Sequence, residues 1–171
     1  MKLRHSLVLS LPLMSACALA ADLTLKFEIP QLNVAAYHRP YMAVWLERSD
    51  QKVVTQLAVL YDVRKKDNGG TKYLKDMRQW WRKGGEALDL PLDGVSGATR
   101  GPGEHTISLA RAKTTLEALP PGDYQVVVEA AREAGGRELV RIPFHWPLPS
   151  SQPAAVKGQE ELGSVSVQFK S

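Results

Sequence analysis

Leu23-Thr24-Leu25-Lys26-Phe27-Glu28-Ile29 puts an apolar side chain at every second position and a polar one between. Successive side chains of a strand point to opposite faces, so this period of two predicts a strand with one buried face. The same reading extends along the chain. Tyr41 to Glu47 and Val53 to Tyr61 are rich in Val, Leu and aromatic residues, and Ser49-Asp50-Gln51 between them predicts a hairpin turn. Glu104 to Leu109, Tyr124 to Ala131 and Leu139 to Trp146 read as further strands. Pro120-Pro121-Gly122 and Gly135-Gly136 punctuate them as turns. Val165, Val167 and Phe169 alternate with Ser166, Gln168 and Lys170 in a last strand. Glu86 to Gly103 and Pro147 to Gly158 read as loops, rich in Gly or in Pro and Ser.

One segment follows another period. Tyr73, Leu74, Met77, Trp80 and Trp81 fall at helical spacing, with Lys72, Lys75, Asp76, Arg78, Gln79 and Arg82 between them. Asp67-Asn68-Gly69-Gly70 is a turn ahead of this run, and Gly84-Gly85 ends it. The pattern predicts one amphipathic helix. Seven or eight short strands joined by turns, with a single helix, predict an all-β protein. The expected architecture is an immunoglobulin-like antiparallel β-sandwich with one inserted amphipathic helix. Gly122-Asp123-Tyr124 before an apolar strand resembles a tyrosine corner, in which the Tyr hydroxyl bonds back to backbone.

The N-terminus predicts export. Lys2, Arg4 and His5 form a basic start, and Leu7 to Met14 is an apolar run broken by Ser10 and Pro12. Ala18-Leu19-Ala20 offers small residues where a signal peptidase reads. Residues 1–20 are therefore expected to be a signal peptide, and residues 21–171 a single domain in the periplasm. Met14-Ser15-Ala16-Cys17 loosely resembles a lipoprotein box, with Met14 where such boxes usually carry Leu. Cleavage after Ala20 is the favoured expectation over acylation of Cys17.

Composition narrows the function classes. Cys17 is the single cysteine, so cleavage after Ala20 leaves no thiol for disulfides or for Cys-ligated zinc. The formal charge is +4, and removing Lys2 and Arg4 leaves 20 basic against 18 acidic residues. These charges are interleaved, which argues against a nucleic-acid binder. His38, His105 and His145 have no close metal-ligand spacing. They support only a weak rival reading as a metal-binding domain.

Chemistry concentrates in Asp93-Gly94-Val95-Ser96-Gly97-Ala98-Thr99. This stretch resembles the motif Asp-x-x-(Ser/Thr)-Gly-Ala-Thr, the acceptor site of a bacterial flavin transferase. In proteins carrying it, the enzyme moves the FMN part of FAD onto the last Thr as a phosphoester. Over about 140 residues the chain also resembles a predicted periplasmic family of unknown function, associated with flavin transferases and membrane-bound reductases. Tyr37-His38-Arg39-Pro40-Tyr41 running into Ala43-Val44-Trp45, the Trp80-Trp81 pair and Gly122-Asp123-Tyr124 carry that resemblance. Together the two imply a periplasmic electron carrier with FMN on Thr99 and a membrane reductase as redox partner. Such a protein is a substrate of the transferase and need not turn over a small molecule itself.

Each motif residue has a physical role in that reading. Thr99 supplies the ester oxygen, activated by the transferase. Ser96, Gly97 and Ala98 are small enough to enter a tight pocket, and Gly97 can take a positive φ. Asp93 can orient the loop by accepting backbone N–H bonds. Arg100 can pair with the phosphate. Trp80 and Trp81 can pack in the core, or one can cover the flavin ring. Residues 93–99 are expected to be exposed and loosely packed. Asp-Gly and Ser-Gly also occur in ordinary turns. The rival class is a non-redox binding or assembly module on the same fold.

Overall fold

A computed structural model describes residues 22–148 and 154–170. The expected signal peptide and Cys17 lie outside the described residues. Among the described residues there are nine strands: β1 (Asp22–Ile29), β2 (Tyr41–Arg48), β3 (Val53–Tyr61), β4 (Ser96–Ala98), β5 (Gly103–Ser108), β6 (Gly122–Ala131), β7 (Arg137–Trp146), β8 (Ala154–Lys157) and β9 (Ser164–Lys170). They form two sheets, in the orders β5-β1-β9-β8 and β4-β3-β2-β6-β7. The all-β sandwich is as expected, except that β4 runs parallel to β3 rather than antiparallel.

The alternation in β1 does what its period predicts. Leu23, Leu25, Phe27 and Ile29 enter the core between the sheets and meet Met42, Val44, Leu46, Val126 and Val128 from the other sheet. Each such side chain contributes about 1.5–3 kcal/mol on burial. β2 and β6 look different because the five-stranded sheet is a middle layer. Its outer face, with Ala43, Trp45, Val59, Tyr61 and Val127, packs under Leu74, Met77, Trp80, Leu90 and Val95. Both faces are covered, so Met42 to Glu47 is buried without a break.

That cover is not the single amphipathic helix expected. It is a run of 3-10 turns (Lys66–Asp76) followed by α1, only five residues long (Arg78–Arg82). Met77 at φ −77°, ψ 75° separates them. Asp67 and Asn68 lie in the left-handed region, which fixes the turn predicted there. A buried carboxylate from the sheet starts α1. Glu129 accepts the backbone N–H of Gln79 at 3.2 Å and of Trp80 at 2.7 Å, and Arg137 donates to it at 2.9 Å. Helix starts leave N–H groups without partners, and Glu129 supplies two. Three further corrections concern short elements. The loop expected over 86–103 contains β4, and the one over 147–158 contains β8. A second helix, α2 (Ala112–Glu117), was not expected; it buries Ala112 and Leu116 in the inter-sheet core.

The tyrosine corner is present: the Tyr124 hydroxyl donates to the Pro120 carbonyl at 2.9 Å. The two sheets are also tied at their rims. Arg132 forms a bidentate pair with Glu161 at 2.8 and 3.0 Å, both side chains being nearly buried. Beside it, the Glu138 carboxylate accepts backbone N–H bonds from Gln159, Glu160, Glu161 and Leu162. Desolvation pushes the Glu138 pKa up, but these four donors outweigh it and hold the carboxyl below its ordinary 4.5. A depressed carboxyl stabilises the fold above its unfolded pKa, and that contribution is lost as pH falls through the folded value. Glu138→Gln should therefore flatten the decline of the urea midpoint below pH 4.5 relative to wild type. Equal slopes in the two proteins would refute this role.

Candidate functional site

The acceptor motif is built into the sheet edge. Leu92 to Ser96 form a tight turn: Val95 and Ser96 donate their N–H groups to the Leu92 carbonyl, and Ser96 Oγ accepts from the Leu92 N–H at 2.9 Å. Ser96, rather than Asp93, is the residue that ties the turn, and Asp93 is exposed. β4 then pairs Ser96, Gly97 and Ala98 with Val59, Leu60 and Tyr61. The Thr99 N–H continues the ladder to the Tyr61 carbonyl at 3.2 Å.

This placement corrects two expectations. Residues 93–99 are not a loose, exposed loop. Asp93 and Gly94 are exposed, Val95 is buried, and Ser96 to Thr99 are half-buried because they are a paired strand. Nor does Gly97 take a positive φ; Gly94, at φ 70°, does. Gly97 instead leaves room for Leu60, whose Cδ2 would stand 2.8 Å from a Cβ there and would have to shift.

Thr99 ends on the wall of a cleft of about 560 Å³, lined also by Tyr37, His38, Arg39, Tyr41, Asp62, Lys65 and Glu133. That volume is within the range of small-molecule sites. Thr99 comes from the strand edge, Tyr37 to Tyr41 from the lead-in to β2, Asp62 and Lys65 from the end of β3, and Glu133 from the β6–β7 turn. Two stretches singled out separately in the sequence, the acceptor motif and Tyr37-His38-Arg39-Pro40-Tyr41, thus meet at one place. The cleft carries two fixed cations and two carboxylates. His38 Nδ1 stands 3.8 Å from Glu133. Arg39 and Lys65 make no salt bridge among the described residues, and a Cβ on Gly101 would lie 3.8 Å from Arg39 Nε. Arg39 therefore stands over the backbone just beyond Thr99.

Tyr37 and Tyr41 bring aromatic rings to the cleft. Tyr41 makes edge contacts with Tyr61 and Tyr73, at centroid distances of 6.4 and 6.5 Å. The ammonium groups of Lys65 and Lys72 stand 5.5 and 5.3 Å from the Tyr73 ring centre. Burial raises the Tyr41 pKa, and the Glu133 carboxylate beside the Tyr73 hydroxyl raises that of Tyr73. The Tyr37 hydroxyl is buried without a hydrogen-bond partner among the described residues.

Other expected site residues lie elsewhere. Arg100 is half-buried and does not line the cleft, so Arg39 takes the position expected of it. Trp80 is completely buried under the outer face of the sheet, with its Nε1 donating to Gln56 Oε1 at 2.9 Å, so it cannot cover a flavin. Trp81 is half-buried beside it and packs on the same cluster. The histidines are dispersed: His105 bonds the Gly101 carbonyl and packs on Phe27, and His145 pairs with Asp123. Among the described residues, no three or more His, Cys, Asp or Glu side chains gather to hold a metal.

A family model described as "Predicted periplasmic protein (DUF2271)" matches residues 22–164. The chain belongs to the DUF2271 family. No curated protein and no solved structure matches this DUF2271 chain. The matched region takes in β1 to β8, the insert and every residue lining the cleft, and stops at the start of β9. The family's periplasmic description agrees with the export signal expected at the N-terminus. Among the described residues of this DUF2271 protein, no helix is long and apolar enough to cross a membrane.

Proposed function

We propose that this periplasmic protein is an electron carrier with FMN esterified to Thr99 by a flavin transferase, exchanging electrons with a membrane-bound reductase. The observation that carries the reading is the position of Thr99: the last residue of the acceptor motif stands on the wall of a cleft that Arg39, without a salt bridge among the described residues, also lines. In the attachment step, Thr99 Oγ1 forms a bond to the phosphorus of the FMN half of FAD. The pyrophosphate P–O bond breaks, AMP leaves, and the hydroxyl proton passes to a base of the transferase. Bound flavin supplies the redox chemistry, and the protein's residues set its position and electrostatic surroundings. Two of the cleft residues suit such a group. Arg39 matches a phosphodiester, and Tyr41 matches an aromatic ring system. β4 is a three-residue edge strand, so freeing Thr99 for the transferase breaks few ladder bonds.

The test is mass spectrometry of the mature protein, exported together with an active flavin transferase. The expected result is an FMN-sized increment confined to the peptide containing Thr99. An unmodified peptide, with the transferase active on a control substrate, would overturn the reading and favour a non-redox binding or assembly module.

A further inference from the structure

We propose that the cleft beside Thr99 is the seat of the flavin itself: Arg39 clamps the phosphodiester, and the isoalloxazine ring rests against Tyr41, which Tyr73 buttresses edge-on. This rests on the reading of Thr99 as the FMN acceptor, but it is a separate claim. A tethered flavin can be attached and still wave freely in solvent.

Four features favour a seat. The cleft begins at the attachment point, so a ligand held through Thr99 reaches it without rearrangement of the sheet. Its cation over the backbone two residues past the tether, Arg39, makes no salt bridge among the described residues, so a phosphodiester would meet a guanidinium free to form a charge-assisted bond. Tyr41 and Tyr73 stand edge to face, and Tyr61 backs Tyr41 from within the core. That backing fixes the orientation of Tyr41 before any ligand arrives, which lowers the ordering cost of binding. Lys65 lies over Tyr73 on a flexible stem with no salt bridge among the described residues. It can swing off the ring and turn its ammonium toward the flavin carbonyls.

The insert gains a purpose in this arrangement. Tyr73 belongs to the 3-10 run, which Glu129 and the buried Leu74, Met77 and Trp80 hold against the sheet. The insert therefore covers the outer face and, through Tyr73, also buttresses Tyr41 on the cleft.

The experiment uses flavinylated full-length protein. Attachment is read by mass, seating by flavin emission, anisotropy and quenching by iodide. A flavin resting on tyrosine rings is dim and shielded. Wild type should be strongly quenched and should brighten several-fold after proteolysis. Tyr41→Leu and Arg39→Gln should carry the same mass increment but show brighter, more mobile, iodide-accessible flavin. Full attachment with bright, mobile flavin in wild type would overturn the seat and leave the acceptor assignment standing. So would variants that match wild type in all three optical readouts. No attachment to wild type would overturn both. The wild-type measurement decides the matter even where a variant does not fold.

Discussion

Thr99→Val should eliminate covalent flavin completely while leaving the fold unchanged. Valine keeps the shape of threonine and removes only the hydroxyl that would become the ester oxygen. The backbone bond from Thr99 to Tyr61 survives, and the site is a half-buried strand end. Changes of that kind stay within about 0.5 kcal/mol. Denaturing gels viewed by flavin fluorescence, with intact mass beside them, give a yes-or-no reading. Flavin retained on the Thr99→Val protein at wild-type level would end the acceptor assignment, because no other hydroxyl stands at the end of this motif. Thr99→Ser provides the complementary control. It keeps the nucleophile and should keep at least part of the modification.

Glu129→Ala should be among the most damaging substitutions outside the apolar core. Its carboxylate is fully buried and holds three donors: two backbone N–H groups at the start of α1 and the guanidinium of Arg137. Alanine would leave all three without their acceptor. Removing one member of a buried charged network costs about 3–5 kcal/mol. The loss should be read as a fall in the urea midpoint, and Glu129→Gln, which keeps one acceptor oxygen, should lose less. A shift worth under about 1 kcal/mol would mean that water reaches these donors and that packing alone holds the insert. Because the insert carries Tyr73, flavinylated Glu129→Ala protein should also lose optical quenching before it loses global structure.

The long strands were legible because their chemistry is local. The alternation of β1 and β9 names their buried face directly, and Gly135-Gly136 and Ser49-Asp50-Gln51 mark real turns. The insert was legible only in part. Leu74, Met77 and Trp80 are at helical spacing and do face the sheet. What starts α1, however, is Glu129, a residue 49 positions from Trp80, and no local pattern announces it. β4 escaped because a three-residue strand made of Ser, Gly and Ala has no hydrophobic period. α2 left only Ala112 and Leu116, one pair at i, i+4. At the site, Thr99 and the motif were readable as residues, but the partner cation was not. Arg100 is adjacent in sequence, whereas Arg39 is brought in by the fold from the approach to β2. The phrase Tyr37 to Tyr41 stood out as part of the resemblance, but only the cleft gives it a position beside Thr99.

The pairing of β1 with β9 has a consequence in time. Asp22 lies opposite Lys170 and Phe27 opposite Val165, so the centre of the four-stranded sheet joins opposite ends of the described chain. β5 has β1 as its partner, and β8 has β9. The sheet cannot be completed until β9, which joins the β5-β1 pair to β8, has been delivered. The five-stranded sheet has no such constraint, since β2, β3, β6 and β7 are all available earlier. Assembly is therefore ordered: the middle layer can form first, and the other sheet closes over it last. Contacts between distant segments also make that closure slow. A chain that crosses a membrane unfolded benefits from this order, because the step that seals the core is withheld until the whole sequence has arrived.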